Sequence, residues 1–159
     1  MNGNVEELVN EFKNHGKNTP CLSVQLDNAV ARLVDVYDGD TITVVLKVFG
    51  GYYKFPVRLF GIDTCEIKSK SPWNHEMAIK ARDTLVKLAT NDSDLEKNVV
   101  LVRLTTTGTD KYGRLLCKVT NLDGTCDFSQ KLLDLRLAYN YTGNKKLDDL
   151  QQRQLLEKN

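Results

Sequence analysis

The stretch AVARLVDVYDGDTITVVLKVFGGYYKFPVRLF, residues 29–60, decides the fold. Its Val, Ile, Leu, Thr and Tyr come in short runs, interrupted by Asp38-Gly39-Asp40 and by Gly50-Gly51, both turn signals. That punctuation predicts three strands, the second and third forming a hairpin. Directly downstream stands RLFGIDTCEIK, residues 58–68, where a strand-like apolar run opens with Arg58 and delivers Asp63 and Glu66 into what should be a packed end. Charges in such a place need a reason.

Working outward, Trp73 to Thr90 puts Ala78, Ala81, Leu85, Leu88 and Ala89 on one helical face. Val99–Thr105 and Leu115–Thr120 read as further strands, and Asp123-Gly124 as a tight turn. Asp127, with Gln130 three positions on, predicts a helix running to about Ala138. Lys145 to Glu157 is helical in pattern but charged, and is expected to fray. Toward the N-terminus, Asn4 and Glu7 read as a capping box, with Val5, Leu8, Val9 and Phe12 at helical spacing until Gly16. That stripe is expected to dock on the domain. Together these elements predict an α+β fold: a small five-stranded OB-type β-barrel with about three packed helices plus an N-terminal helix. The organisation read is an N-terminal helical arm over 1–28 and one domain over 29–159.

A chain of 159 residues supports one domain with a real core. Hydrophobic residues at 41% and charged residues at 27% exclude disordered and fibrous classes. The net charge of +1 gives little long-range attraction, so a nucleic acid would have to be held by locally placed Lys and Arg. No apolar leader or membrane-length segment stands out, and an intracellular, cytoplasmic protein without a membrane partner is expected. Cys21, Cys65, Cys117 and Cys126 form no Cys-x-x-Cys pair and no His lies at zinc-finger distance, so reduced thiols are expected rather than a zinc site. Asn91-Asp-Ser93 and Asn140-Tyr-Thr142 fit the glycosylation pattern, as chance matches in the absence of a secretory signal.

Asp38-Gly39-Asp40-Thr41 is not an EF-hand, because Ile42 stands where an oxygen ligand is required. Alone it reads as a turn. With Asp63 and Glu66 closing a strand as Asp38 and Asp40 open one, both sets can converge on one rim of a barrel. Clustered carboxylates repel unless a cation or arginine neutralises them, and a hard divalent ion takes carboxylate, carbonyl and water oxygens. Planar, permanently charged arginines suit the extra negative charge of phosphodiester hydrolysis. Arg58 and Arg114 are candidates, although each alone could equally pair structurally. With only His15 and His75 in the chain, a ribonuclease built on paired histidines is not supported.

Val36-Tyr-Asp38-Gly-Asp40-Thr41, then Val57-Arg58-Leu59 with Asp63-Thr64-Cys65-Glu66, then Asp110-Lys111-Tyr112-Gly113-Arg114 occur in this order. Together, over roughly residues 29–142, they resemble the staphylococcal nuclease (thermonuclease) family. The resemblance implies a calcium-dependent phosphodiesterase on DNA and RNA. It implies Ca2+ held by Asp40, Asp63 and the backbone carbonyl of Thr64, with Asp38 as a nearby acid. Glu66 would position or deprotonate the attacking water, and Arg58 and Arg114 would grip the scissile phosphate. Lys111 and Tyr112 match positions at the terminal phosphate, and Tyr139 and Tyr141 match a pair lining the nucleotide pocket, although aromatics at that spacing also read as packing residues. Two departures stand out. Cys65 replaces a proline, and Thr142-Gly143 replaces another after the tyrosines. Lys68-Ser69-Lys70 reads as a mobile loop over substrate. The competing expectation is a catalytically silent nucleic-acid or protein-binding module. A third is a structural subunit that uses the N-terminal helix as its handle. A monomer is expected.

Overall fold

Alternation decides which side chains enter the barrel. In β1 (Ala29–Asp38) Ala31 and Leu33 point inward; a register shift between Leu33 and Asp35 then moves the inward position to Val36. β2 (Thr41–Val48) contributes Ile42, Val44 and Leu46, and β3 (Gly51–Leu59) contributes Val57 and Leu59. The remaining elements are β4 (Ile62–Asp63), α2 (Pro72–Thr90), β5 (Val100–Thr109), β6 (Leu115–Asn121), α3 (Phe128–Asp134), β7 (Tyr139–Asn140) and α4 (Asp149–Leu156), preceded by α1 (Asn2–Phe12). These come from a computed structural model, which describes residues 2–157.

The barrel closes in the order β1-β2-β3-β6-β5, with a short parallel pairing of Val57–Leu59 against Leu115–Cys117. Val102, Leu104, Cys117 and Val119 fill the interior from β5 and β6, while Leu85 of α2 and Phe128 and Leu132 of α3 extend the core outside it. The expected five-stranded barrel with packed helices is thus the observed architecture. Among the described residues no helix is long and apolar enough to cross a membrane.

Helix ends follow their caps. Ser71 caps α2 ahead of Pro72, and Asn91, in the left-handed region, ends it by donating its N–H to the Lys87 carbonyl at 2.9 Å. Asp127 caps α3 as expected, but the helix stops at Asp134 rather than near Ala138 because Arg136 adopts a left-handed φ of 58°. Expectations for the two terminal helices also fail. The apolar stripe of α1 does not dock: Val5, Leu8, Val9 and Phe12 are all exposed. The arm is fastened instead by Val24 and Leu26, which pack on the core, with the Leu26 N–H donating to Thr106 Oγ1 at 2.9 Å. Helix α1 also starts before Asn4, so no capping box forms there. The second failure is α4. It begins at Asp149, behind a capping box of Asp148 and Gln151, and buries Gln152 and Leu156 rather than fraying.

The β1–β2 turn lies hard against α2. A Cβ on Gly39 would sit 2.6 Å from Ala81 Cβ and 3.2 Å from the Ala81 carbonyl carbon, neither of which can swing away. Glycine is required here for close approach. Gly39→Ala should therefore cost about 1–3 kcal/mol of unfolding free energy, the usual cost of overpacking. Urea denaturation checks this, and an unchanged midpoint would mean that the turn does not rest on the helix.

Candidate active site

Four loops and strand ends meet over the outer face of the Thr41–Arg58 pair of the β2–β3 ladder. The first is the Asp38–Asp40 turn, where Asp38 accepts a hydrogen bond from the Asp40 N–H at 3.1 Å. The second is β4, entered through Gly61 (φ 87°) and paired with β7 by Ile62 to Asn140 and Asp63 to Tyr139. That pairing carries Asp63 beneath the barrel rim. The third is the β5–β6 loop. Asp110 accepts from the N–H groups of Tyr112 and Arg114, both at 2.9 Å, and Gly113 supplies a left-handed residue (φ 82°), so the loop turns Arg114 inward. The fourth is the irregular segment Tyr141 to Leu147 before α4.

At the centre Arg58, only 5% exposed, bridges two buried carboxylates. Its Nη1 lies 3.1 Å from Asp40 Oδ2 and its Nη2 3.1 Å from Asp63 Oδ1. Asp40 also accepts from Thr41 Oγ1 at 2.9 Å and from Thr64 Oγ1 at 3.2 Å. Burial works against the Asp40 charge, but Arg58 and these hydrogen bonds hold its carboxyl below the usual range. Its neighbours carry the imbalance. Burial and the adjacent Asp40 push Asp38 up to about 7, and burial also raises Asp63 despite the Tyr139 hydroxyl, which donates to it. Three carboxylates therefore share too little positive charge, which a cation would relieve.

Beside this cluster opens a cleft of about 280 Å³, lined by Arg58, Lys111, Tyr112, Arg114, Tyr141 and Lys146 among others. Arg114 is held from behind by Asp110, Nε to Oδ2 at 2.6 Å, and its Nη1 reaches Thr41 Oγ1 at 3.4 Å. Its guanidinium lies 5.6 Å from the Tyr112 ring centroid, and that of Arg58 lies 5.9 Å from the Tyr141 ring. Glu66 stands exposed at the edge, 3.9 Å from Lys146 Nζ. The structure thus gathers Asp38, Asp40, Arg58, Asp63 and Thr64 into one network, with Arg114, Lys111, Tyr112 and Tyr141 around the adjoining cleft and Glu66 at its edge. Tyr139 departs from the sequence expectation. It is buried and spends its hydroxyl on Asp63, because the β4–β7 pairing draws it under the acidic loop and away from the cleft.

A sequence model of the family described as staphylococcal nuclease homologue matches residues 56–159, more than half of the chain. The chain belongs to that family. No curated protein matches the chain. The matched span holds Arg58, Asp63, Thr64, Glu66, Lys111, Tyr112, Arg114 and both tyrosines, whereas Asp38 and Asp40 precede it, Asp40 joining the site through Arg58 and Asp38 through the Asp40 N–H.

Three residues of this staphylococcal nuclease homologue escaped the sequence reading. Lys146 places Nζ 3.5 Å from Asp63 Oδ1 while also facing Glu66. Asn74, buried at the start of α2, donates to Gln152 Oε1 at 3.1 Å, and Gln152 donates to the Tyr139 hydroxyl at 3.3 Å. Asn74–Gln152–Tyr139–Asp63 is thus one buried polar chain that fixes the Asp63 carboxylate from below. Asn74 also donates to Cys65 Sγ at 3.8 Å, and the buried Cys65 side chain packs with Ala78, Tyr139 and Leu156. Packing anchors the loop where the family resemblance leads one to expect proline. Burial pushes the Cys65 thiol up to about 11, so it stays protonated and acts as a small apolar group.

Among the described residues no three His, Cys, Asp or Glu side chains gather into a metal-binding group. An ion here would rest on two carboxylates and complete its shell from carbonyl, water and substrate oxygens. The donor chemistry fits a hard cation: Asp40 and Asp63 offer oxygen only, flank the two Nη atoms of one guanidinium, and lie among carboxylates short of positive charge.

Proposed function

We propose that this chain is a calcium-dependent nuclease that hydrolyses phosphodiester bonds of DNA or RNA. One observation carries the reading. Two guanidinium groups, Arg58 and Arg114, meet at the Thr41 end of a single cleft, one of them lying on a pair of buried carboxylates. A phosphate entering between them gains two planar, permanently charged clamps, which stabilise the charge that builds on its oxygens during attack. Asp110 holds Arg114 in place, so little reorganisation is needed. Glu66, exposed beside Lys146, is the carboxylate that orients and deprotonates the attacking water. Lys111 and Lys146 add positive charge along the cleft, and Tyr112 and Tyr141 offer ring faces to a base or sugar.

Asp40, Asp63 and the Thr64 carbonyl are the residues that would hold calcium, which when bound polarises a phosphoryl oxygen and neutralises the carboxylates. Three protein oxygens suit calcium's flexible shell of about six to eight ligands better than magnesium's strict octahedron. The test is incubation of plasmid, single-stranded DNA and RNA with calcium, magnesium or a chelator. Cleavage in calcium, much less in magnesium and none in chelator is expected, with calcium affinity by calorimetry rising when a nucleotide bisphosphate is present. Equal cleavage in magnesium or an affinity indifferent to the nucleotide would remove the proposed ligand set. The engagement of the whole Arg58 fork by Asp40 and Asp63 favours a second reading, a silent binding module. Oligonucleotide binding without cleavage under every metal would establish it.

A further inference from the structure

The β2–β3 hairpin runs past the barrel. β2 pairs with β1 only from Val45 to Thr41, and β3 pairs with β6 only from Val57 to Leu59, so the outer hairpin has no strand beside it among the described residues. Its turn places Phe49 (φ 51°) and Gly50 (φ 76°) at the two central positions, the geometry of a type I′ turn. Asn, Asp and Gly are favoured there. Phe49 instead sits in the left-handed region with 70% of its surface exposed.

The ladder register puts Lys47 opposite Tyr52, Val45 opposite Lys54, Thr43 opposite Pro56 and Thr41 opposite Arg58. Cross-strand partners share a face. One outer face therefore leads from Lys47 and Tyr52 at the tip, past Lys54, to Arg58 and the cleft. Tyr52 is 72% exposed, with Lys47 Nζ 5.9 Å from its ring centroid. Neither β2 nor β3 contains an Asp or Glu. The acids nearest in register stand on β1, Asp35 opposite Thr43 and Asp38 opposite Thr41 at the cleft end of the face. From Arg58 to Tyr52 is six residues of strand, about 20 Å at roughly 3.4 Å each.

We infer that this hairpin face is a docking track for single-stranded nucleic acid, feeding the strand toward Arg58. The inference rests on the nucleic-acid reading of the cleft and names its substrate class. Exposed aromatic faces flanked by lysines attract a polyanion and stack on its bases, and only unpaired bases present a free face. In a duplex both faces are covered by neighbouring pairs. Continuity with the phosphate-facing end of β3 and the absence of acids on both strands favour this occupant over a protein.

The experiment is fluorescence anisotropy of a labelled oligothymidine of about 20 nucleotides, and of a duplex of equal length, on the full chain in chelator so that nothing is cut. Two variants are compared with the parent: Lys47→Ala/Tyr52→Ala, and Phe49→Asn. The second supplies a residue that the turn prefers, so it should fold at least as well. Single-strand affinity should fall about tenfold or more in the double variant and severalfold in Phe49→Asn, with a shallower salt dependence in the double variant and little change for duplex. Unchanged single-strand affinity in both variants, equal losses for duplex, or a parent chain that does not bind the single strand at low salt would overturn the track. So would a change confined to self-association in light scattering. Because the readout needs no cleavage, a chain that binds through the hairpin but cuts nothing would support the track while refuting the nuclease reading.

Discussion

Arg58→Met should destabilise the fold by about 3–5 kcal/mol in the absence of divalent ions, a large share of the roughly 5–15 kcal/mol that holds a domain together. The reason is the burial of its partners. The side chains of Asp40 and Asp63 are 9% and 1% exposed, and both depend on the same guanidinium at 3.1 Å. Removing it leaves two desolvated carboxylates, of which, among the described residues, only Asp63 retains a cation, Lys146 at 3.5 Å. Breaking a buried pair from one side costs far more than the pair contributes over an apolar substitute, so the loss reflects stranded charge. A cation that reaches the same carboxylates should then rescue. Saturating calcium should raise the urea midpoint of Arg58→Met more than that of the parent chain, because binding to the folded state alone stabilises by mass action and no guanidinium competes. Arg58→Lys separates structure from catalysis. One ammonium keeps a charge in place and most of the stability, but it cannot reproduce a planar fork on phosphate, and turnover should fall on the order of a hundredfold. Stability of Arg58→Met within about 0.5 kcal/mol of the parent would show that the bridge does not form. Full turnover in Arg58→Lys would end its role as a clamp.

The barrel was legible because its information is local. The short apolar and Thr/Tyr runs between Ala29 and Phe60, with the breaks at Asp38-Gly39-Asp40 and Gly50-Gly51, are read from neighbours and mark the three strands, although not the register shift after Leu33. The acid and arginine positions were legible as a motif. Their contacts were not, since Arg58 had no more sequence claim on Asp63 than on solvent until burial closed around both. Helix α4 shows the limit most plainly. A hydrophobic pattern detects apolar side chains, but what ties α4 down is largely Gln152, a polar residue bonded to Asn74 at a separation of 78 residues. Lys146 is invisible for the same reason, being one lysine of a Lys-Lys pair until the segment after Tyr141 folds over Asp63. Tyr139 and Tyr141 are alike in sequence, and only the pairing of Asp63 with Tyr139 decides which of them goes under the loop. Helix α1 is the converse: its stripe was plain, but a stripe does not specify what covers it, and Val24 and Leu26 took the barrel contact instead.

Glu66→Gln should leave the fold intact and remove most of the activity. Glu66 is exposed, its side chain at 62%, and its cationic partner Lys146 stands 3.9 Å away, too far for a strong contact. Substitutions at such positions change stability by about 0.5 kcal/mol or less, so the urea midpoint should not move. Calcium affinity should hold as well, because the proposed ligands are Asp40, Asp63 and the Thr64 carbonyl. What glutamine loses is the ability to accept a proton from water at the moment of attack, an effect worth about a hundredfold to ten-thousandfold in other enzymes. The loss should therefore appear in kcat with KM little changed, the signature of an interaction made in the transition state. Glu66→Asp supplies the geometric control. It keeps the carboxylate but withdraws it by one methylene, and a displacement of about 1 Å can cost on the order of a hundredfold. Aspartate should thus fall between the parent and glutamine. Any of three results would remove Glu66 from the chemistry: normal turnover in Glu66→Gln, a loss that appears only in KM, or an equal loss explained by weakened calcium binding. The attacking water would then have to be oriented by another group of the cleft, and Asp38, pushed up to about 7 by burial and by Asp40, would be the next carboxylate to replace.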